Sequence, residues 1–216
     1  VLSKRSVPLL PSQFKPACES ENAIVIDTRD MNKFAERFIP GSLLISFNTS
    51  FVTWVGKLIP DMRQPLLLIT EKDKSEEVII QLSRIGYHNV IGCLKGGPKA
   101  WNKAGFETAF IKEINVGDYL VKFKKDKSIM LLDVRNKEQH MQHHLKHSVN
   151  IEIDNLIKIC RNLDTRKKYI VYGGEIYSSF VGYSVGIQSG LNCEAVLNMS
   201  LPIPQVISKR LTPKMK

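Results

Sequence analysis

Ala23-Ile-Val-Ile-Asp27-Thr-Arg29 and Ile129-Met-Leu-Leu-Asp133-Val-Arg135 are the two stretches that decide how this chain folds. Each is a short apolar run ending in Asp-x-Arg, and the two aspartates are 106 residues apart. The same offset carries Ser42 to Ser148, Ile45 to Ile151 and Phe47 to Ile153. An offset of 103 carries Leu66-Leu-Leu-Ile69 to Tyr169-Ile-Val-Tyr172, and one of 104 carries Gly86 to Gly190. A period of about 105 residues signals duplicated domains rather than the 20–50-residue units of a solenoid.

Working outward, each half alternates strand and helix. Unbroken apolar runs at 24–26, 66–69, 130–132 and 169–172 suit strands buried on both faces. Further strands are expected at 43–46, 89–92, 149–153 and 194–198. Helices are expected over 32–38, 76–85, 137–143 and 179–188, with Gly86 and Gly190 as stops. This alternation predicts an α/β fold: two tandem domains, residues 1–112 and 113–216, each a mostly parallel sheet with helices on both faces. The linker is expected around Phe110–Val116.

Composition narrows the classes. Of 216 residues, 43% are hydrophobic and 24% charged, as in soluble globular proteins. No apolar run approaches the ~20 residues of a membrane-spanning helix, so no membrane partner is expected. The opening Val1–Leu10 has no signal-peptide core, which predicts a cytoplasmic location, and a start at Val rather than Met is what a processed or excised fragment would show. The net charge is +10, densest at Lys122–Lys127, Arg166–Lys168 and Lys209–Lys216. No aromatic-interleaved basic stripe accompanies it, so no nucleic-acid partner is expected. Cys18, Cys93, Cys160 and Cys193 lack CxxC spacing, against a disulfide framework or zinc knuckle.

Asp27-x-Arg29, then Phe34, then Ile39-Pro40-Gly41-Ser42, resembles the opening of rhodanese domains, and Leu94-Lys95-Gly96-Gly97-x-x-Ala100-Trp101 resembles their closing motif. The second half departs from it: Leu145-Lys-His-Ser148 stands where Ile-Pro-Gly-Ala is usual, and no Gly-Gly-x-x-x-Trp follows Asn198. Asn48-Thr-Ser-Phe51-Val-Thr-Trp54-Val-Gly56 with Arg84-Ile-Gly86-Tyr87-His-Asn89-Val90 is similar to the rhodanese tail of metallo-β-lactamase-fold persulfide dioxygenases. That likeness implies a metallo-β-lactamase-fold domain as partner within a parent protein, whose metal-binding motif is absent here, and a possible homodimer.

The resemblance also locates the chemistry. A working rhodanese carries a cysteine just past a buried strand, in a loop entering a helix, where N–H groups and the helix dipole stabilise the thiolate and persulfide. The first loop here is Thr70, Glu71, Lys72, Asp73, Lys74, Ser75, with Thr70 at the cysteine position and Ser75 at the arginine position. A threonine without a base is a poor nucleophile, Glu71 and Asp73 oppose an anion, and Asp73 with Glu76 has capping-box spacing. The second loop is Gly173, Gly174, Glu175, Ile176, Tyr177, Ser178, with Gly173 at the cysteine position and Ser178 at the arginine position. Its Gly-Gly pair suits either a tight turn or N–H groups aimed at an anion.

No other residue is a compelling substitute. Cys93, Cys160 (next to Arg161) and Cys193 do not follow the strands that feed the loops and read as small half-buried hydrophobes. His140, His143, His144 and His147 contain two i,i+4 pairs, a zinc-capable spacing, but the helix should end near His143 and no third ligand is evident, so a solvated patch is expected. Asp27 and Asp133 are expected to hold turns with Arg29 and Arg135 as structural partners, and Trp54 and Trp101 to be core or interface residues. The expectation is thus a catalytically silent tandem with no catalytic residue, no cofactor and no metal. The alternatives are a thiosulfate or persulfide sulfurtransferase using an atypical cysteine, and a metal-binding or nucleic-acid module.

Overall fold

The structure, a computed structural model, describes residues 7–126, 128–160, 162–199 and 207–208. Most of the opening segment, Lys127, Arg161 and the basic tail 209–216 lie outside the described residues. The chain divides into two compact units, Val1–Phe110 and Ile111–Lys216.

The first unit runs β1 (Pro8–Leu9), α1 (Pro11–Ser20), β2 (Ile24–Asp27), α2 (Met31–Glu36), β3 (Leu43–Leu44), α3 (Phe51–Leu58), β4 (Leu66–Ile69), α4 (Ser75–Arg84), β5 (Val90–Leu94) and α5 (Gly97–Lys103). Its sheet is ordered β1-β5-β4-β2-β3 with every pairing parallel. In β4 all four residues are buried, as a central parallel strand requires. Leu67 and Ile69 meet Phe14 of α1 and Trp101 of α5. By the alternation of a strand, Leu66 and Leu68 face the opposite side, and they too are fully buried, so the sheet is covered on both faces. Phe14 and Trp101 meet edge-to-face with ring centroids 6.0 Å apart, and the indole N–H donates to the Glu107 carbonyl at 2.9 Å. Trp101 is therefore core; Trp54 is only half-buried, with the Lys57 ammonium 5.8 Å from its ring.

The second unit runs β6 (Glu113–Ile114), α6 (Val116–Lys125), β7 (Ile129–Asp133), α7 (Lys137–Gln142), β8 (His144–Leu145), β9 (Ser148–Asn150), α8 (Ile153–Cys160), β10 (Lys168–Tyr172), α9 (Ile176–Gln188), β11 (Asn192–Leu197) and β12 (Ile207–Ser208). Its main sheet, β6-β11-β10-β7-β9, is again wholly parallel and repeats the first unit's order strand for strand. β8 and β12 form a separate antiparallel pair. Ile129, Leu131, Ile170, Tyr172, Ala195 and Leu197 share one face with Tyr119 of α6. α9 lies on the other face, and close: a β-carbon on Gly182 would fall 2.9 Å from Val134 Cγ1 and 3.1 Å from Val171 Cγ1. Where α4 presents Ile79, α9 needs a residue without a side chain.

Three local expectations are corrected. The strand expected over 149–153 ends at Asn150, and Ile153 opens α8. Ile153, Leu156, Ile157 and Cys160 recur at helical spacing, and burial of Leu156 and Cys160 favours the helix. The stretch 110–116, expected to be a linker, contains β6, because Ile114 is buried and paired beside β11. Helices α1, α3, α5, α6 and α8 add to the four that periodicity indicated.

Candidate functional site

In both units the strand carrying Asp-x-Arg lies next to the strand that feeds the loop, so fork and loop share one end of the sheet. Asp27 and Asp133 are both fully buried. Arg29 Nε donates to Asp27 Oδ1 at 2.9 Å and Nη2 to Oδ2 at 2.7 Å; Arg135 does the same to Asp133 at 2.9 and 2.7 Å. The spare Nη2 proton goes to the Arg37 carbonyl in one unit and the His143 carbonyl in the other, both at 2.7 Å. Ser42 and Ser148 each donate three residues back, to Ile39 and Leu145, at 2.7 Å. These forks tie the end of the sheet to the short helix that follows it, and the expected structural role of both Asp–Arg pairs matches this geometry.

The first loop leaves β4 with the Thr28 amide donating to the Ile69 carbonyl at 2.8 Å. Thr70, Glu71 and Ser75 are half-buried, while Lys72, Asp73 and Lys74 are exposed. Glu71 turns toward α2, where Lys33 Nζ meets its Oε2 at 2.8 Å, and its Oε1 is buried without a hydrogen-bond partner. Asp73 does not form the expected capping box. It takes φ +61, and the N-cap falls one residue later, on Lys74, which makes no side-chain capping bond before α4 begins at Ser75. In that left-handed backbone Asp73 serves the turn instead of the helix end.

The second loop is filled by its own residues. Ser178 Oγ donates to the Glu175 carbonyl at 2.7 Å. A β-carbon on Gly173 would lie 2.2 Å from that oxygen and 3.3 Å from the Ser179 amide nitrogen. The serine hydroxyl thus occupies the space where a side chain at the cysteine position would start. Gly174 is less confined: a β-carbon there would meet Gln139 Nε2 at 3.6 Å and Arg135 Cδ at 3.9 Å, ordinary contacts. The tight-turn reading of Gly173-Gly174 fits this packing.

The four cysteines are free thiols, Cys18 half-buried and the others buried. Burial pushes Cys18, Cys93 and Cys160 up to about 11 and Cys193 up to about 12. A reactive cysteine is shifted the other way. Cys93 lies in β5 and Cys160 at the end of α8; Cys193 lies in β11 against Gly186, and none belongs to either loop.

His143 and His147 are exposed, as a solvated patch requires, but His140 and His144 are half-buried and depart from that expectation. His140 Nδ1 is 2.8 Å from Asp133 Oδ2, and its side chain is only 17% exposed. His144 stacks on it, with centroids 4.2 Å apart and planes 16° apart. His143 caps α7 and His147, in the following loop at φ +67, stacks on Phe123 at 5.6 Å. The i,i+4 spacing makes an imidazole stack because α7 stops at Gln142 and β8 returns His144 beside it. Among the described residues no group of three or more His, Cys, Asp or Glu is arranged to hold a metal, and no helix is long and apolar enough to cross a membrane.

The family model described as Rhodanese-like domain matches residues 10–104 and 117–188. Among solved structures, thiosulfate sulfurtransferase from Pseudomonas aeruginosa is 13% identical with a TM-score of 0.44, the match covering 88% of this chain and 41% of that one. The chain therefore spans about two fifths of that protein's length. SseA from Escherichia coli, a 3-mercaptopyruvate sulfotransferase of rhodanese fold, is 15% identical with a TM-score of 0.40 over 89% of this chain and 98% of its own. The Alr3790 protein from Anabaena sp. is 22% identical with a TM-score of 0.43 over 48% of this chain and 92% of its own. No curated protein matches the chain. With the family model spanning most of both units, the chain belongs to the rhodanese-like domain family.

Proposed function

We propose that this chain is a catalytically silent tandem rhodanese module that acts by binding rather than by sulfur transfer. The observation that carries the reading is the absence of sulfur from both loops: Thr70 and Gly173 stand at the end of the feeding strands. Three further features support it. Glu71 brings a carboxylate to the place an anionic sulfur donor would enter, Ser178 fills the second cysteine position, and all four thiols are held protonated by burial. The module's setting, on this reading, is the cytoplasmic C-terminal region of a metallo-β-lactamase-fold protein of sulfur or persulfide metabolism, where it docks against that domain, supports a homodimer, or controls substrate access.

The test is transfer of sulfur from thiosulfate to cyanide by the purified chain, beside an active rhodanese. The expected result is no thiocyanate above the buffer rate. Thiocyanate formation that a Cys93→Ser, Cys160→Ser or Cys193→Ser change abolishes would overturn the proposal.

A further inference from the structure

The two forks agree contact for contact, but what packs over them does not. In the first unit Phe34 and Phe38 stack with centroids 4.7 Å apart and planes 17° apart, both buried. The offset of 106 that relates Asp27 to Asp133 carries Phe34 to His140 and Phe38 to His144, which stack at 4.2 Å and 16°. An apolar ring pair in one unit is therefore a titratable ring pair in the other, in the same place and the same stacked geometry. His140 is tied to Asp133 through Nδ1, and His144 Nδ1 lies 2.9 Å from the His140 carbonyl oxygen.

The ionisable groups around the stack come from several elements. Asp133 ends β7, Arg135 follows it and holds the same carboxylate, and Tyr172 ends β10 beneath the Arg135 guanidinium, 5.3 Å from ring centroid to Cζ. His143 contributes its carbonyl to Arg135, and Glu138 is exposed in the first turn of α7. Imidazole is the side chain whose charge changes between about pH 5 and 8. One imidazolium suits this site: it keeps the Nδ1–H bond to the Asp133 carboxylate and offers its charge to the face of the neighbouring ring. Two do not, because both positive rings would lie 4.2 Å apart, part-buried, over a carboxylate already engaged by Arg135.

We propose that the His140–His144 stack is a one-proton switch in the second unit, which binds a single proton while stacked and must part to accept a second. The ring that parts is His144, at the outer end of the two-residue strand β8: β8 pairs with the equally short β12, while Leu145 stays buried with its amide donating to the Tyr172 hydroxyl at 3.3 Å. Acidification then acts in two stages. The first proton tightens His140 on Asp133, and the second loosens β8.

An NMR titration of the histidine rings in the full chain, from about pH 8 to pH 5, tests this. His140 and His144 are expected to take up one proton between them before the amide signals of β8 move. In a His144→Phe chain, which restores the residue type of the first unit, His140 is expected to take up a whole proton in a single step. Two independent whole-proton curves in the unmodified chain, with the His140 curve unchanged by His144→Phe, would overturn the proposal. The unmodified chain's curves decide the matter alone if the variant does not fold.

Discussion

Asp27 and Asp133 end equivalent strands, are equally inaccessible, and are gripped by the arginine two residues on at matching distances, yet their carboxyls are pushed in opposite directions. Burial raises Asp27, and the bonds and charge of Arg29 only partly counter it, with the Glu71 charge adding to the rise. Burial also acts to raise Asp133, but the hydrogen bonds of Arg135, His140 and Tyr172 outweigh it and hold the group low. The difference lies outside the motif. Beside its aspartate the first unit has Ile69 and the Glu71 charge, with Phe34 at the position equivalent to His140; the second supplies His140, Tyr172 and, at the position equivalent to Glu71, the side-chain-free Gly174. A shared Asp-x-Arg therefore fixes the shape of the site but not its charge, which is set by what the neighbouring elements donate.

The largest expected effect comes from removing these charges one at a time. Asp133→Asn leaves Arg135 part-buried without its anion and strips His140 of its acceptor charge, so a loss of about 3–5 kcal/mol is expected. Asp27→Asn also leaves Arg29 part-buried without its anion, but it removes a carboxylate that burial and the Glu71 charge oppose and that no histidine shares, so a smaller loss of about 1–3 kcal/mol is expected. Urea unfolding of the two variants measures both. Equal losses would break the comparison, since they would mean that the extra donors around Asp133 add nothing.

Acid sharpens it next, and the sign differs between the units. Asp133 is lowered from 3.8, so its contribution is complete above that value and is lost as pH falls through its folded-state midpoint. Asp126 and Asp164, also in the second unit, are held down to about 2 by hydrogen bonds from Ser128 and Arg166 and lose their contributions over the same acid range. Asp27 is raised from 3.8, so its contribution is complete below that value and is lost as pH climbs through the raised midpoint. Below about pH 4 the second unit is thus expected to unfold first. Both tryptophans, Trp54 and Trp101, lie in the first unit, so their fluorescence reports it alone, while far-ultraviolet circular dichroism reports both. The dichroism transition is expected at higher pH than the fluorescence transition; coincidence or the reverse order would count against the assignment.

What the sequence made legible follows the same division between backbone and surroundings. β2, β4, β7 and β10 could be read because a parallel strand buried on both faces is an unbroken apolar run. The forks could be read because Asp-x-Arg repeats at a fixed offset. α1 could not, since its ten residues bury only Pro11 and Phe14 and carry Pro16 in their midst, so no stripe marks it. The loops were legible as positions, Thr70 and Gly173, but not as conformations. The φ of +61 at Asp73 and the Ser178 hydroxyl beside Gly173 arise from chain closure that spacing does not express. The histidine spacing suggested a metal pair or an open patch, and stacking was missed. The signal that finds it is the offset of 106, which places His140 and His144 on two stacked phenylalanines.

The smallest expected effect tests whether the loop carboxylate of the first unit belongs to its fold at all. Glu71 meets Lys33 at 2.8 Å, but the lysine side chain is 55% exposed and the glutamate 35%, so water screens the pair. Lys33→Ala is expected to cost no more than about 1 kcal/mol, with urea unfolding again as the measure. The buried Glu71 Oε1, which has no hydrogen-bond partner, makes this more than a surface mutation. If that oxygen keeps the carboxylate half desolvated, losing the lysine leaves a charge facing Asp27, and the cost rises beyond the range of an exposed pair. Gln139→Ala is the control in the second unit, because the equivalent side chain there faces Gly174 and has no carboxylate to release. A small cost for both variants keeps Glu71 as a solvated charge at the mouth of the loop, repelling anions without shaping the fold. A large cost for Lys33→Ala alone would make the Lys33–Glu71 pair part of what holds the first loop shut.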